Sequence, residues 1–427
     1  MNRIKLKFRF RDILEYTICS ILIFLSGSAA ISANDDNFMF RMLALLLIAL
    51  CFIYGFKYYK IKKVSKGIII VLLFCIPSIF IEYLNYKNTI LGFSFRLIWI
   101  VTFAFIMSLV RSNADRFLKC IYNIVITVSV VTLIGFVLVN VTKTVTSYIY
   151  VPLRDDLYFY RRYLGFFYAA RTYLRSVFGF EFYRLQSFFW EPGVYAIYLV
   201  YALYYFIFCD RNKKKFILYV LLTSLALTMS TTGICIGIPM FFIWWVENAK
   251  VNKKSKPLMV LSALIVASIG IIIVWSKKAV GSSVVKGSYY LRMLDLLNGL
   301  SLIAKRPIFG WGYKREGILE ALQNLGRGNS NGLITLGYNL GMIGLLLALI
   351  PFISCIIKSQ KSERIKETVF SALFVLTNMT EPLIFSPFMI FLIVYEYQKS
   401  AEMRIRLRYI FKNKLRRSFK NESTILN

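Results

Sequence analysis

FILYVLLTSLALTMSTTGICIGIPMFFIWWV, residues 216–246, is the stretch on which the fold turns. At about 1.5 Å per residue it is long for one crossing of a ~30 Å hydrocarbon core and short for two full ones. Its flanks decide its course. The basic loop 210–215 precedes it, and Lys250, Lys253, Lys254 and Lys256 follow it. Basic loops collect on the cytoplasmic side of a membrane, so the run makes an even number of crossings. The polar break Thr228-Met229-Ser230-Thr231-Thr232-Gly233 lies at its middle. The stretch therefore predicts two short helices meeting at the outer face. The run 368–397 has basic segments at both ends and the break Thr377-Asn378-Met379-Thr380-Glu381-Pro382 between them, and predicts a second such hairpin.

Outward from these, apolar runs lie at 13–32, 40–56, 67–83, 89–110, 120–141, 193–209, 257–275 and 332–357. Inside lipid every backbone group must bond within its own segment, so such runs are helical. Basic loops at 57–66 and 111–119, the acidic pair Asp35-Asp36 and the basic tail from Arg404 to Arg417 set the parity. The expectation is an all-α, polytopic integral membrane protein of about twelve transmembrane helices. It forms one membrane domain over 1–427, with both termini cytoplasmic. The N-terminus, with Arg3, Lys5, Lys7, Arg9 and Arg11 before an apolar run ending in small residues 26–33, resembles a signal peptide. The run 13–32 is long enough to cross, which favours an uncleaved first span.

Composition agrees: 58% of residues are hydrophobic and mean hydropathy is +0.62. The net charge of +32 raises nucleic acid as a partner, but much of it sits beside apolar spans, where membrane topology expects it. There is no histidine, which excludes a histidine base, a histidine metal ligand and a Ser-His triad. The seven cysteines fall in or beside apolar runs without metal-ligand spacing. No P-loop and no dinucleotide fingerprint occurs, so neither cofactor nor metal is expected.

Two outer loops of unusual length remain, 142–192 and 276–330. Both are basic on the side where positive charge is disfavoured. The first carries Arg154, Arg161, Arg162, Arg171, Arg175 and Arg184, and the second includes Arg292, Lys305, Arg306, Lys314, Arg315 and Arg327. Long loops translocate largely regardless of charge. The sharper alternative is an anionic ligand at the outer face, since guanidinium forks match phosphate. The aromatic clusters 158–160, 166–168 and 188–190 suit the membrane interface or stacking on sugars. Arg96 lies within the run 89–110, where an ionisable residue is costly and tends to be functional; a structural pair with a neighbouring helix is the alternative.

Four segments in order resemble the O-antigen ligase and Wzy-type O-antigen polymerase superfamily. They are Arg184-Leu-Gln-Ser-Phe-Phe-Trp-Glu191-Pro192-Gly193, the Thr/Ser-rich turn 228–233, Ser288-Tyr-Tyr-Leu-Arg292 with Pro307-Ile-Phe-Gly310-Trp-Gly312, and Ser330-Asn331 followed nine residues later by Gly341-Met-Ile-Gly344. In the ligases the fourth begins with histidine; here Ser330 holds that position, which argues against ligation. The resemblance implies polymerisation of undecaprenyl-pyrophosphate-linked oligosaccharide at the periplasmic face of the bacterial inner membrane. It implies Arg184 and Arg292 as the pyrophosphate clamp and Glu191 as the leading carboxylate, with Asp295 and Glu381 behind it. Arg171, Arg175, Arg315, Ser330, Asn331 and Arg96 complete the expected substrate-binding set. The implied partners are that lipid-linked substrate, the bilayer and a chain-length regulator protein. An O-antigen ligase and a lipid-linked oligosaccharide flippase are the alternatives. So far as the residues alone speak, Gly341 and Gly344 equally permit close helix packing, and Glu191-Pro192 equally starts a helix.

Overall fold

The computed structural model describes residues 9–29, 38–58, 114–140, 147–153, 156–163, 167–170, 174–177, 180–248, 288–311 and 329–404. Ten helices occur among them. They are α1 (Phe10–Leu25), α2 (Phe38–Tyr58), α3 (Ala114–Asn140), α4 (Pro192–Phe208), α5 (Lys215–Thr228), α6 (Thr231–Asn248), α7 (Ser288–Lys305), α8 (Gly332–Lys358), α9 (Lys361–Thr380) and α10 (387–404). Three contain segments long and apolar enough to cross a membrane, Phe38–Gly55, Asp115–Leu138 and Gly332–Lys358. The spans expected at 67–83, 89–110 and 257–275 lie outside the described residues.

The expected hairpins are both present. Thr228 ends α5, Met229 turns the chain in the left-handed region at φ 46°, and α6 starts at Thr231. α9 ends at Thr380, and α10 starts after the turn 381–386. The segment expected as the first outer loop adds strands to the all-α fold. It forms β1 (Ser147–Leu153), β2 (Asp156–Tyr163) and β3 (Phe167–Ala170) in an antiparallel β1-β2-β3 sheet, and β4 (Leu174–Val177) paired with β5 (Phe180–Tyr183). The stretch is rich in Tyr and Phe, which suit strands. A hairpin also satisfies its own backbone without a long apolar run to bury.

α4 is the hub. It packs against α3, α5, α6 and α9, and every residue from Pro192 to Tyr204 is buried, as befits a helix apolar on all sides. Its tyrosines form an aromatic column with neighbouring segments. Tyr195 and Tyr198 stack on Phe189, Tyr198 and Tyr201 meet Phe388, and Tyr201 and Tyr204 meet Phe370. Tyr195 also donates to Ser129 Oγ at 2.9 Å, tying α4 to α3. Away from this core, α8 exposes Met342, Leu346, Ile350, Ile353 and Ile357 along one stripe. Such a stripe is an apolar surface of the kind a membrane or partner covers.

Polar contacts define two ends. At one, Arg116 binds Asp12 and Glu15, Arg11 also binds Glu15, Tyr122 donates to Asp210, Tyr395 donates to Asp115, and Lys399 binds Glu367 and Glu396. These residues neighbour the basic loops. At the other end Leu185 N–H donates to the Leu227 carbonyl, Ala29 N–H to the Phe188 carbonyl, Tyr183 N–H to Asn140 Oδ1, and Phe388 N–H to Ser26 Oγ. The segments quoted above for their resemblance gather at this second end.

Candidate functional site

The last four carbonyls of a helix lack intrahelical donors and carry its negative dipole end. Two arginines use this at the second end. Arg184 approaches the C-terminus of α5, its Nε donating to the Thr228 carbonyl at 2.7 Å and Nη2 to the Met229 carbonyl at 3.1 Å. Arg292, early in α7, donates from Nη1 to the Thr380 carbonyl at the C-terminus of α9, at 2.9 Å. The two broken hairpins thus play the same part: each ends its first helix on a guanidinium. The contacts fix the planes of both cations while leaving their charge uncancelled by the neutral carbonyls.

The countercharges are Glu191 and Glu381. Glu381 is buried, and its Oε1 stands 3.7 Å from Arg292 Nη2. Glu191 precedes α4, with Pro192 in the first turn, but its side chain makes no capping bond to the helix. It faces the site instead. An ideal Cβ on Gly193 would lie 2.6 Å from Glu381 Oε1 and 3.4 Å from Glu191 Oε1, so both carboxylates close over the one residue that offers them room. Burial pushes the Glu381 carboxyl well above its ordinary value; the charge of Glu191 adds to this, while Arg292 and Arg184 oppose it. Glu191 is raised by burial and lowered by the same arginines.

Two expectations follow. Gly193→Ala folds, because its methyl meets only the ends of two carboxylate side chains and clashes with just one, but it drives Glu381 off Arg292. Its activity falls while its yield in membranes stays normal. Raised carboxyl pKa values also carry a stability sign. The native state binds protons more tightly than the unfolded chain, so stability falls as pH rises through the raised values. Melting temperature in detergent declines as pH rises above the ordinary carboxyl value of 4.5 and through the raised values, and Glu381→Gln flattens that slope.

The fourth segment braces the site. Asn331 caps α8, its Oδ1 accepting from Ile334 N–H at 3.0 Å. Ser330 donates from both N–H and Oγ to Asp295 Oδ2, at 3.0 and 2.6 Å, and Asn329 Nδ2 donates to the Asp295 carbonyl. Asp295 lies on α7, one turn beyond Arg292. The bonds therefore pin the start of α8 to the helix that carries Arg292. An ideal Cβ on Gly332 would meet the Glu381 carbonyl at 2.9 Å, so α8 also abuts the α9–α10 turn. The third and fourth segments join at a kink. Gly341 interrupts α8 at φ 69°, ψ −172°. Into that break docks the turn after α7, with Met342 N–H donating to the Pro307 carbonyl at 2.7 Å and Trp311 N–H to the Tyr338 carbonyl at 2.8 Å.

Of the residues singled out by sequence, Arg184, Arg292, Glu191 and Glu381 share one site, and Ser330, Asn331 and Asp295 support it. Arg175 lies in β4, opposite Phe182. Arg96, Arg171 and Arg315 lie outside the described residues. Sequence reasoning overlooked the anchoring carbonyls of Thr228, Met229 and Thr380 and the spacing role of Gly193. The polar breaks marked the hairpin tips, but a carbonyl is present at every residue and carries no signature of its own. A second buried cluster, Cys355, Glu367 and Glu396, lies at the opposite end with Lys399 in its midst. No protein-family model, curated protein or solved structure matches the chain.

Proposed function

We propose that this protein is a multi-pass glycosyltransferase of the bacterial inner membrane that polymerises undecaprenyl-pyrophosphate-linked oligosaccharide repeat units at the periplasmic face. About twelve spans with both termini cytoplasmic complete the topology, with the loops 142–192 and 276–330 outside. The observation that carries the reading is the convergence of two backbone-anchored guanidiniums, Arg184 and Arg292, on two carboxylates, at the bundle end opposite the basic loops.

Breaking a glycosyl–phosphate bond develops negative charge on the departing pyrophosphate. Donors fixed before the reaction stabilise that charge without reorganising, and they act most strongly where water is excluded. Arg184 and Arg292 fill this role, each held in plane by a helix terminus. Glu191, the less buried carboxylate, accepts the proton of the attacking sugar hydroxyl, and burial moves its pKa toward a useful range. Ser330, where the ligases have histidine, is occupied with Asp295 and holds α8 in place. Arg171, Arg175, Arg315 and Arg96 remain proposed contacts to the lipid-linked substrate, and a chain-length regulator remains a proposed partner.

A gel of surface glycolipid from a strain lacking the gene, with and without a plasmid copy, tests the assignment. A single repeat unit on the lipid core, restored to a ladder by the plasmid, supports the polymerase. Bare core overturns it: accumulated long lipid-linked polymer then identifies a ligase, and its absence a flippase. Arg184→Lys gives a weakened ladder, because an ammonium cannot bond two carbonyls and a phosphate with one planar fork. An undiminished ladder would mean that charge alone matters there.

A further inference from the structure

The site sets two permanent cations, Arg184 and Arg292, against two titratable carboxylates, Glu191 and Glu381. With both carboxylates ionised the charges cancel, and an arriving pyrophosphate meets two anions in a partly buried place. We propose that the substrate-bound site keeps a proton on the Glu191–Glu381 pair, chiefly on Glu381, so that binding of the lipid pyrophosphate is coupled to proton uptake. This rests on the glycosyl-transfer reading above.

The geometry shows which contact yields. Arg292 holds the Thr380 carbonyl at 2.9 Å but Glu381 only at 3.7 Å, beyond hydrogen-bond length. A phosphate oxygen can take the place of Glu381 on the guanidinium without disturbing its anchor. Glu381 is then a buried carboxylate without its cation, and such a group takes a proton. The charged groups around it are Glu191 from the entry to α4, Arg184 from the preceding segment and Arg292 from α7. Asp295, farther along α7, is bonded to Ser330. α9 contributes Asn378 and α8 the Gly332 backbone, neither of which is charged.

Glu191, less buried, stays ionised and serves as the base. In the transfer its carboxylate takes the proton of the acceptor hydroxyl as that oxygen bonds to the anomeric carbon. The bond from that carbon to the phosphate oxygen breaks, and its electron pair leaves with the pyrophosphate. Glu191 then returns its proton to water. Glu381 releases its own when the pyrophosphate departs and Arg292 regains its carboxylate neighbour.

Calorimetry on the full-length protein in detergent, with geranyl pyrophosphoryl glucose as probe, tests this. Each phosphorus of that probe carries one ester and the shared anhydride bridge, leaving one strongly acidic group apiece, so its charge is constant over the range studied. Titrations run in buffers of differing ionisation heat, from about pH 6 to pH 8.5. The expected result is about one proton taken up per ligand bound, with affinity falling up to about tenfold per pH unit on the alkaline side. Glu381→Gln binds with no proton uptake and a flat profile. Should that variant fail to fold, Glu191→Gln decides the site of the proton: it still takes up about one proton per ligand, since Glu381 still loses Arg292 to the phosphate, and loss of uptake there overturns the assignment to Glu381. Wild-type binding with no proton exchanged overturns the coupling and leaves the polymerase reading intact. No binding at any pH overturns both.

Discussion

Arg292→Ala leaves single repeat units on the lipid core and no ladder, with the protein still in the membrane in normal amount. The side chain does two things at once. On the proposed polymerase reading it supplies a charge-assisted donor to the departing pyrophosphate, and it sits beside the buried Glu381 carboxylate. Removing one preorganised donor from such a site costs roughly a hundredfold to a thousandfold in rate. Arg184→Ala, which frees the Thr228 and Met229 carbonyls, has an effect of the same order. Polymer yield and membrane-fraction immunoblots, taken from the same cells, separate loss of chemistry from loss of protein. A normal ladder in both variants would sink the pyrophosphate clamp.

Gly341→Ala acts by another route and reaches further. At φ 69°, ψ −172° the backbone occupies a region that only glycine adopts without strain. An ideal Cβ there would lie 2.1 Å from the Ile308 carbonyl oxygen and 2.7 Å from Gly310 N. Neither is a side chain that can swing aside. The variant must give up the docking of the turn 306–311, with the bonds from Met342 N–H and Trp311 N–H. Strain of this kind costs about 1–3 kcal/mol before any contact is lost, so the total exceeds about 3 kcal/mol. Size-exclusion of detergent extracts shows little folded protein. A monodisperse Gly341→Ala with wild-type melting temperature would mean that the kink is not required. Gly193→Ala is the useful contrast, since its methyl clashes only with the tip of Glu381 and touches that of Glu191.

Much of the helical fold was legible because lipid-compatible sequence is constrained in one dimension. A run of apolar residues must be a helix, and its basic flanks fix which way it runs. The hairpin tips at Met229 and around Glu381 were readable for this reason. The strands of the first loop were not, because that segment has neither a long apolar run nor strict alternation, and its pairing depends on register between residues such as Tyr150 and Phe159. Segments resembling a family placed Arg184, Arg292 and Glu191 on a short list, yet could not say that they meet.

The amino-acid sequence by itself determined the helical, apolar character of the chain, the places where its two hairpins turn and the residue types available for chemistry. Each follows from local composition and from the energy of burying a backbone in hydrocarbon. Only the tertiary structure decided that Arg184 and Arg292 rest on the carbonyl ends of different hairpins, that Glu381 stands with Glu191 over Gly193, and that Gly341 breaks α8 to receive the turn after α7. These contacts join residues far apart in the chain. They depend on how helices pack around α4, and no local pattern encodes that packing.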